Sequence, residues 1–483
     1  MVTNRHPSTS SPASAVLTSG RPGVWLADSD RPSELSVQVS RALYRSAPVV
    51  VIAGTDDGTE LAAAAAAAAR IGVPLLLSDP TASSLPAYVA AEVTRLHPVT
   101  VLALGPHTLA AARGLPGISV TTDAATLPEL TRPAQTMSRA VLTRTGSGVA
   151  GSPVAAALAS TAAAATQTLP ITVHSRDLRA DPDTIRALAA RHPEQTIAIG
   201  TGFGPAATLA ARVAVAETGI QLPGGGQVWF PGHRLVALYG HPDTSTLGVL
   251  GEQGIQASIT RAKAMAHRYQ PLSSVPVVPT FEIIATTLQG SPGPDGDYSS
   301  PSSVESLRPW VIQAQRAGLY VVLDLQPGRA NFLDQARRYA PLLRMPNVGL
   351  ALDPEWRLGP GQVPLRQIGG VDAEEINSVA RWLAELTATE KLPQKLLVLH
   401  QFRLSMIRHE AKLDTSHDQI QLLIHMDGQG TPQLKDGTWR AVVAAAPPGM
   451  PFGWKNFYDE DTPTLSPTQT MAKRPQPDMI SYQ

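Results

Sequence analysis

The sequence predicts an α/β protein: two Rossmann-like parallel-sheet repeats followed by a (β/α)8 TIM barrel. Three observations predict it. Short, continuous apolar runs alternate with helix-length segments along the chain, the pattern of parallel strands covered on both faces. Landmarks in the first half recur at a nearly constant offset, Pro74 against Pro170 and Gly105 against Gly200, the mark of an internal repeat. Eight strand–helix alternations then fill the second half, in about 250 residues, the ordinary size of such a barrel.

The elements divide the chain as follows. Residues 1–22 are polar and Pro/Ser-rich and read as a disordered N-terminus. Residues 23–128 form the first repeat, with strands VVVIAG (49–54), VPLLLSD (73–79) and VTVLALG (99–105). Its helix, 55–72, starts on the acidic TDDG and runs through an Ala-rich stretch. Residues 129–225 form a degenerate second repeat. VAGS (149–152) precedes an Ala-rich helix, and the strands LPITVHS (169–175) and QTIAIGTG (195–202) follow. The glycines of GTDDG and GTGFG are read as turn formers. Neither is G-x-G-x-x-G, and GTDDG puts two carboxylates where a phosphate would sit.

Gly224–Gly226 opens a second half, 226–483. Its strands are expected at 234–240, 274–286, 319–325, 347–353, 395–401, 420–426, 451–458 and 478–483. Helices are expected at about 253–268, 304–317, 331–343, 372–388, 403–412, 435–446 and 466–472. Gly453 makes the seventh strand the weakest of the eight. The Gly/Ser/Pro-rich 290–303, with Asp295 and Asp297, reads as a long βα loop at the rim. DEDT (459–462) reads as a solvated loop that overhangs the mouth.

Composition excludes several classes. Basic and acidic residues balance at 39 each, with no long basic run, which argues against a nucleic-acid partner. There is no cysteine, so disulfides, thiolate metal sites and a Cys nucleophile are absent. No apolar run reaches the 18–20 or so residues that span a bilayer. No signal-peptide h-region is visible in the first residues.

In the first half, residues 29–79 resemble the cell wall-binding repeat family of clostridia and actinobacteria. Arg31 and Glu34 precede a first helix, an apolar strand leads to the acidic turn Asp56-Asp57, and Leu61 lies in the Ala-rich helix before Gly72 and Pro74. The second copy lacks the acidic turn and the Gly before Pro170. The resemblance covers about 190 residues. It implies non-covalent attachment to an anionic wall polymer and a location outside the cell or at its wall.

In the second half the chemistry is expected at the C-terminal ends of the strands. Strand one ends in Tyr239 and His241, and strand two carries Glu282. Strand three supplies Asp324 and Gln326, and strand four Asp353, Glu355 and Trp356. Strand five supplies His400 and Gln401, and strand six His425 and Asp427. Strand seven supplies Trp454, Asn456 and Tyr458, and strand eight Tyr482. Alternation along a strand puts Asp353 and Glu355 on one face. Converging carboxylates suit glycosidic cleavage, in which one acid protonates the leaving oxygen and a second attacks, activates water or stabilises positive charge. Crowding separates their proton affinities and so their roles.

Glu355 is the expected acid, with Asp353 beside it and Glu282 or Asp427 as the second carboxylate. The other named residues are expected to bind substrate, with the aromatic ones stacking on sugar rings. This half faintly resembles barrel glycoside hydrolases, including the chitinase-like group with D-x-x-D-x-D-x-E on strand four. Only Asp353 and Glu355 match; Val348 and Ala351 replace the earlier acids. The expected function is therefore a wall-associated glycoside hydrolase acting on a wall or extracellular polysaccharide, with no cofactor or metal. Two alternatives stand beside it. One is a non-catalytic glycan-binding envelope protein. The other is a metal-dependent barrel hydrolase using His241, His400, His425, Asp353 and Asp427.

Overall fold

The computed structural model describes residues 13–19, 22–79, 84–144 and 153–483. The chain forms two compact units, Met1–Gly219 and Ile220–Gln483.

The first unit contains two four-stranded, all-parallel sheets. One orders its strands Leu75–Leu77, Val49–Ala53, Thr100–Leu104 and Ser119–Thr121. The other orders Ile171–Val173, Arg139–Arg144, Gln195–Ile199 and Gly23–Ala27, so an early strand of the chain forms an edge of the later sheet. The central strand of the first sheet, Val49–Ala53, is buried along its whole length, as its uninterrupted apolar sequence requires. The acidic turn has a local job. Asp57 caps the helix Gly58–Ile71 by accepting hydrogen bonds from the backbone N–H groups of Thr59 and Glu60. Gly72 ends that helix at φ 70°, and a Cβ there would lie 2.5 Å from Pro133.

Val16–Leu17 pairs with Tyr44–Ser46, so ordered structure reaches into the segment expected to be a disordered terminus. The expected VAGS segment at 149–152 lies outside the described residues.

The second unit is a closed, eight-stranded parallel barrel. Its strands are β1 (Arg234–Gly240), β2 (Val277–Leu288), β3 (Tyr320–Leu325), β4 (Val348–Leu352), β5 (Lys395–His400), β6 (Ile420–Met426), β7 (Phe452–Asn456) and β8 (Met479–Tyr482). Each pairs with the next, and β8 pairs with β1 to close the ring. Closure removes both sheet edges. All eight expected strands are present, with ends displaced by up to three residues.

Helices follow as expected except after β5. There, 403–412 folds as two short 3-10 turns, Leu404–Met406 and Glu410–Lys412, around the two-residue strand Ile407–Arg408. That strand pairs with Val371–Asp372, and the buried Glu410 carboxylate accepts a hydrogen bond from the Gln401 side chain. These tertiary bonds override a weak helical pattern. The long loop after β2 returns as a short antiparallel strand, Ser299–Pro301, against Thr286–Leu288.

The barrel interior has two halves. Toward the strand N-termini it is apolar. Leu235, Ala237, Val278, Leu396, Val398 and Leu423 pack there with Trp229, which is fully buried against Tyr320 with ring centroids 4.5 Å apart. Toward the strand C-termini the inward positions turn polar. This end is open, so the fold directs all exposed chemistry of the interior to one mouth.

Candidate active site

The polar end is organised around His400, the last residue of β5. Its Nε2 lies 3.0 Å from Glu282 Oε1 on β2 and 3.8 Å from Asp324 Oδ1 on β3. Its Nδ1 lies 3.0 Å from Asp427 Oδ2, just beyond β6. All four side chains are buried. Burial disfavours the imidazolium, but the flanking Glu282 and Asp427 carboxylates outweigh it and hold the His400 pKa well above the usual range. Burial likewise opposes ionisation of Asp427, yet the hydrogen bond from His400 keeps its carboxyl below the ordinary aspartate range.

The remaining acids go the other way. Burial, with Glu282 nearby, pushes Asp324 up to about 6 against the opposing charge of His400, and Tyr239 donates a 2.9 Å hydrogen bond to it. Burial and the neighbouring Asp324 charge raise Asp353 well above its usual value. Burial and the Asp427 charge push Glu355 up to about 7. Carboxyls of opposite tendency therefore share one barrel end, the arrangement that separates an acid from a base.

Above this cluster opens a cavity of about 440 Å3. Tyr239, Gln326, Asp353, Glu355, Asp427 and Lys455 supply polar lining, and Trp356, Leu365, Phe402 and Phe457 supply apolar walls. Asp353 and Glu355 reach it for a reason other than strand alternation. β4 ends at Leu352, and Asp353 caps a 3-10 turn, Pro354–Trp356, by accepting from the Glu355 N–H. The turn, not a shared strand face, carries both acids to the mouth.

Of the expected residues, Glu355, Asp353, Asp427, Tyr239, Gln326 and Trp356 line this cavity. Glu282, Asp324, His400 and His425 are buried in the barrel and outside its lining. Glu282, expected as a candidate second carboxylate, is bound to His400 and does not face the cavity. Burial and the His400 charge push His425 well below the usual histidine range, and its Nε2 pairs with Ser481 Oγ at 2.7 Å.

Six further expected binding residues are not brought to the cavity. Trp454 packs on Trp439 at 5.5 Å among the barrel-covering helices. Its Nε1 donates to Asn456 Oδ1, and Asn456 Nδ2 donates to Thr470. Tyr482 pairs its hydroxyl with that of Tyr269 at 2.6 Å, and Tyr458 stacks on Tyr482. Gln401 is spent on Glu410. His241 bonds Ser302 and the Asp243 N–H in the loop after β1.

The reason on β7 and β8 is a register read one residue out, which turns every side chain to the other face. The inward residues there are Gly453 and Lys455 on β7, with Phe457 just past its end, and Ser481 on β8, with Gln483 just past its end. The signal that finds them is the pairing of Gly453 opposite His425. A Cβ on Gly453 would lie 1.8 Å from His425 Nδ1, so the glycine exists to admit the imidazole. Gly453→Ala is therefore expected to displace His425 from Ser481 and to destabilise the barrel by about 1–3 kcal/mol, the ordinary cost of overpacking. Urea unfolding measures it; an unchanged midpoint would contradict this packing account.

The residues of the metal alternative are not gathered into a ligand set: among the described residues, no three His, Asp or Glu side chains are placed to hold an ion. His400 has both ring nitrogens on carboxylates. DEDT is only partly solvated. Asp461 is buried, pairs with Lys435 and accepts from the Gly430 and Phe457 N–H groups, anchoring the loop after β7.

No protein-family model matches the chain, and no curated protein does. Among solved structures, it is similar to Cwp6 from Clostridium difficile, at 10% identity and a TM-score of 0.32. The likeness covers 63% of this chain and 63% of that one, so the chain spans less than two thirds of its length. Among the described residues, no helix is long and apolar enough to cross a membrane.

Proposed function

We propose that the barrel is a glycoside hydrolase acting on a wall or extracellular polysaccharide, with Glu355 as general acid and Asp427 as the ionised partner. One observation carries this reading. Two carboxyls line the same cavity, one held protonated up to about pH 7 and the other held ionised below the ordinary aspartate range. Glycosidic cleavage needs that division.

In this reading Glu355 gives its proton to the leaving oxygen as the C–O bond breaks. Asp427 meets the positive charge that grows on the sugar ring, by attacking the anomeric carbon or by deprotonating a water that does. His400 acts through Asp427, keeping it charged in a buried setting. Burial and the Asp324 charge favour the protonated form of Asp353, which lowers its repulsion of an incoming group. Trp356 and Phe402 offer faces to a sugar ring, and Gln326 offers an amide to its hydroxyls.

We further propose that residues 23–128 and 129–225 are two wall-binding repeats that hold the protein outside the cell. Support comes from the Arg31-to-Pro74 pattern and from the two parallel sheets of the first unit. Co-sedimentation of the full chain with purified walls tests it; a chain left in the supernatant would refute attachment.

The pH dependence follows from the two carboxyls. Glu355 must be protonated, so kcat/KM is expected to fall about tenfold per pH unit above about 7. Asp427 must be ionised, so the acid limb is expected below pH 3.8, its ordinary value. Release of reducing ends from purified wall polysaccharide, followed from pH 3 to 9, measures both limbs. A rate still rising above pH 8 would remove Glu355 as the acid.

A further inference from the structure

The strongest unexplained group in the cavity is Lys455, on the inner face of β7. It is only 3% exposed, and it lines the cavity. Its Nζ stands 3.5 Å above the centre of the Tyr239 ring and 5.2 Å from that of Phe457. Among the described residues no side chain or carbonyl accepts a hydrogen bond from it, and no carboxylate lies within 4.0 Å, whereas the other buried barrel lysines are bound. Lys435 is held by Asp461 and the Lys455 carbonyl, and Lys395 by the Met345 and Val348 carbonyls.

An ammonium carries three donors, and this one keeps them open to the cavity, where water or a ligand group accepts them. A ring face attracts the charge but accepts no conventional hydrogen bond. The missing acceptor therefore comes from the cavity side. The surrounding charge agrees. Asp427 is answered by His400 and also feels the Lys455 charge, while burial shifts Asp353 and Glu355 toward their protonated forms. A negative group entering here meets Lys455 among four lining carboxyls, of which Asp427 is paired with His400 and Glu460 is exposed.

We infer that the cavity selects a sugar residue bearing an anionic substituent, such as a uronic acid carboxylate, and that Lys455 is the residue that holds it. This rests on the glycosidase reading of the same cavity and specifies its substrate. Lys455 is then a specificity residue whose charge is also felt by Glu355 and Asp427.

Calorimetric titration of the full chain at pH 6 tests it with matched trimers: galacturonate against galactose, and glucuronate against glucose. Glucose 6-phosphate is a further arm that separates phosphate from carboxylate recognition. The acidic trimer of at least one pair is expected to bind 10- to 100-fold more tightly than its neutral counterpart, the range for one charge-assisted hydrogen bond. Lys455→Met is expected to erase that difference. Equal affinities within both pairs, no binding by any trimer, or a preference that survives in Lys455→Met would overturn the assignment. The wild-type comparison stands even if the variant does not fold.

The two readings fail separately. Acidic trimers bound tightly but never cleaved would sink the hydrolase and keep the anion subsite. Neutral trimers cleaved with no acidic preference would do the reverse.

Discussion

Glu355→Gln is expected to lower hydrolysis of wall polysaccharide by about 10^2- to 10^4-fold, the usual contribution of a positioned general acid. Gln keeps the shape and loses the proton that the leaving oxygen needs. The fold is expected to survive, and the pH dependence of stability shows why. The folded protein raises the Glu355 pKa from 4.5 to about 7, so it binds this proton more tightly than the unfolded chain does. Stability from this group is complete below 4.5 and is lost as pH rises through about 7. Above that, the wild type holds a disfavoured buried charge that Gln does not have. At pH 8 the variant is therefore expected to unfold at a temperature equal to or higher than that of the wild type. Loss of activity with a retained or raised melting temperature separates a chemical role from a structural one. Residual activity above about a tenth of wild type in a folded variant would remove Glu355 from the mechanism.

His400→Ala is expected to be the most damaging substitution for stability, at about 3–5 kcal/mol near neutral pH, the cost of stranding a buried charge. It leaves Glu282 and Asp427 buried without their shared cation. The two carboxylates bound to His400 make its folded pKa higher than the unfolded value of about 6.5. That stabilisation is complete below 6.5 and is lost as pH rises through the folded value. Asp427 contributes on the other side: its lowered pKa stabilises the fold above 3.8, and this is lost as pH falls through the folded value. Wild-type stability should therefore form a plateau bounded by these two groups and sloped by Asp324 and Glu355, whose raised pKa values remove stability as pH rises to about 6 and about 7. Urea midpoints between pH 3 and 10 measure it. The plateau should collapse in His400→Ala, and Glu282→Gln in the same chain should recover part of the loss. A His400→Ala midpoint within error of wild type would mean that the buried network carries no energy.

The barrel was legible because its strands are short, apolar and separated by helices of ordinary length, so packing and local preference agree at nearly every step. The segment after β5 was not legible. Its structure depends on Val371–Asp372 and on the Gln401–Glu410 bond, partners distant in sequence or hidden by the turn. Within the site, the acids of β2, β3, β4 and β6 were found because polar residues at the ends of apolar strands stand out.

Which of them face the cavity was not readable. Glu282 and Asp427 look alike in sequence, yet one lies beneath His400 and the other opens to the mouth. Lys455 was missed because β7 carries aromatic residues on its outer face, and Trp454, Asn456 and Tyr458 draw attention from the inner Gly453, Lys455 and Phe457. Only the room that Gly453 leaves for His425 fixes that register, and this needs two strands in view at once.

The account rests on one acid kept protonated beside one kept ionised. Carbon-13 NMR titration of the side-chain carboxyls, assigned through Glu355→Gln and Asp427→Asn, tests that directly and needs no substrate. The expected result is a Glu355 midpoint near pH 7 and an Asp427 carboxyl still ionised at pH 3.8. Two carboxyls titrating together in the ordinary range near pH 4 would contradict it and would leave the cavity without a general acid.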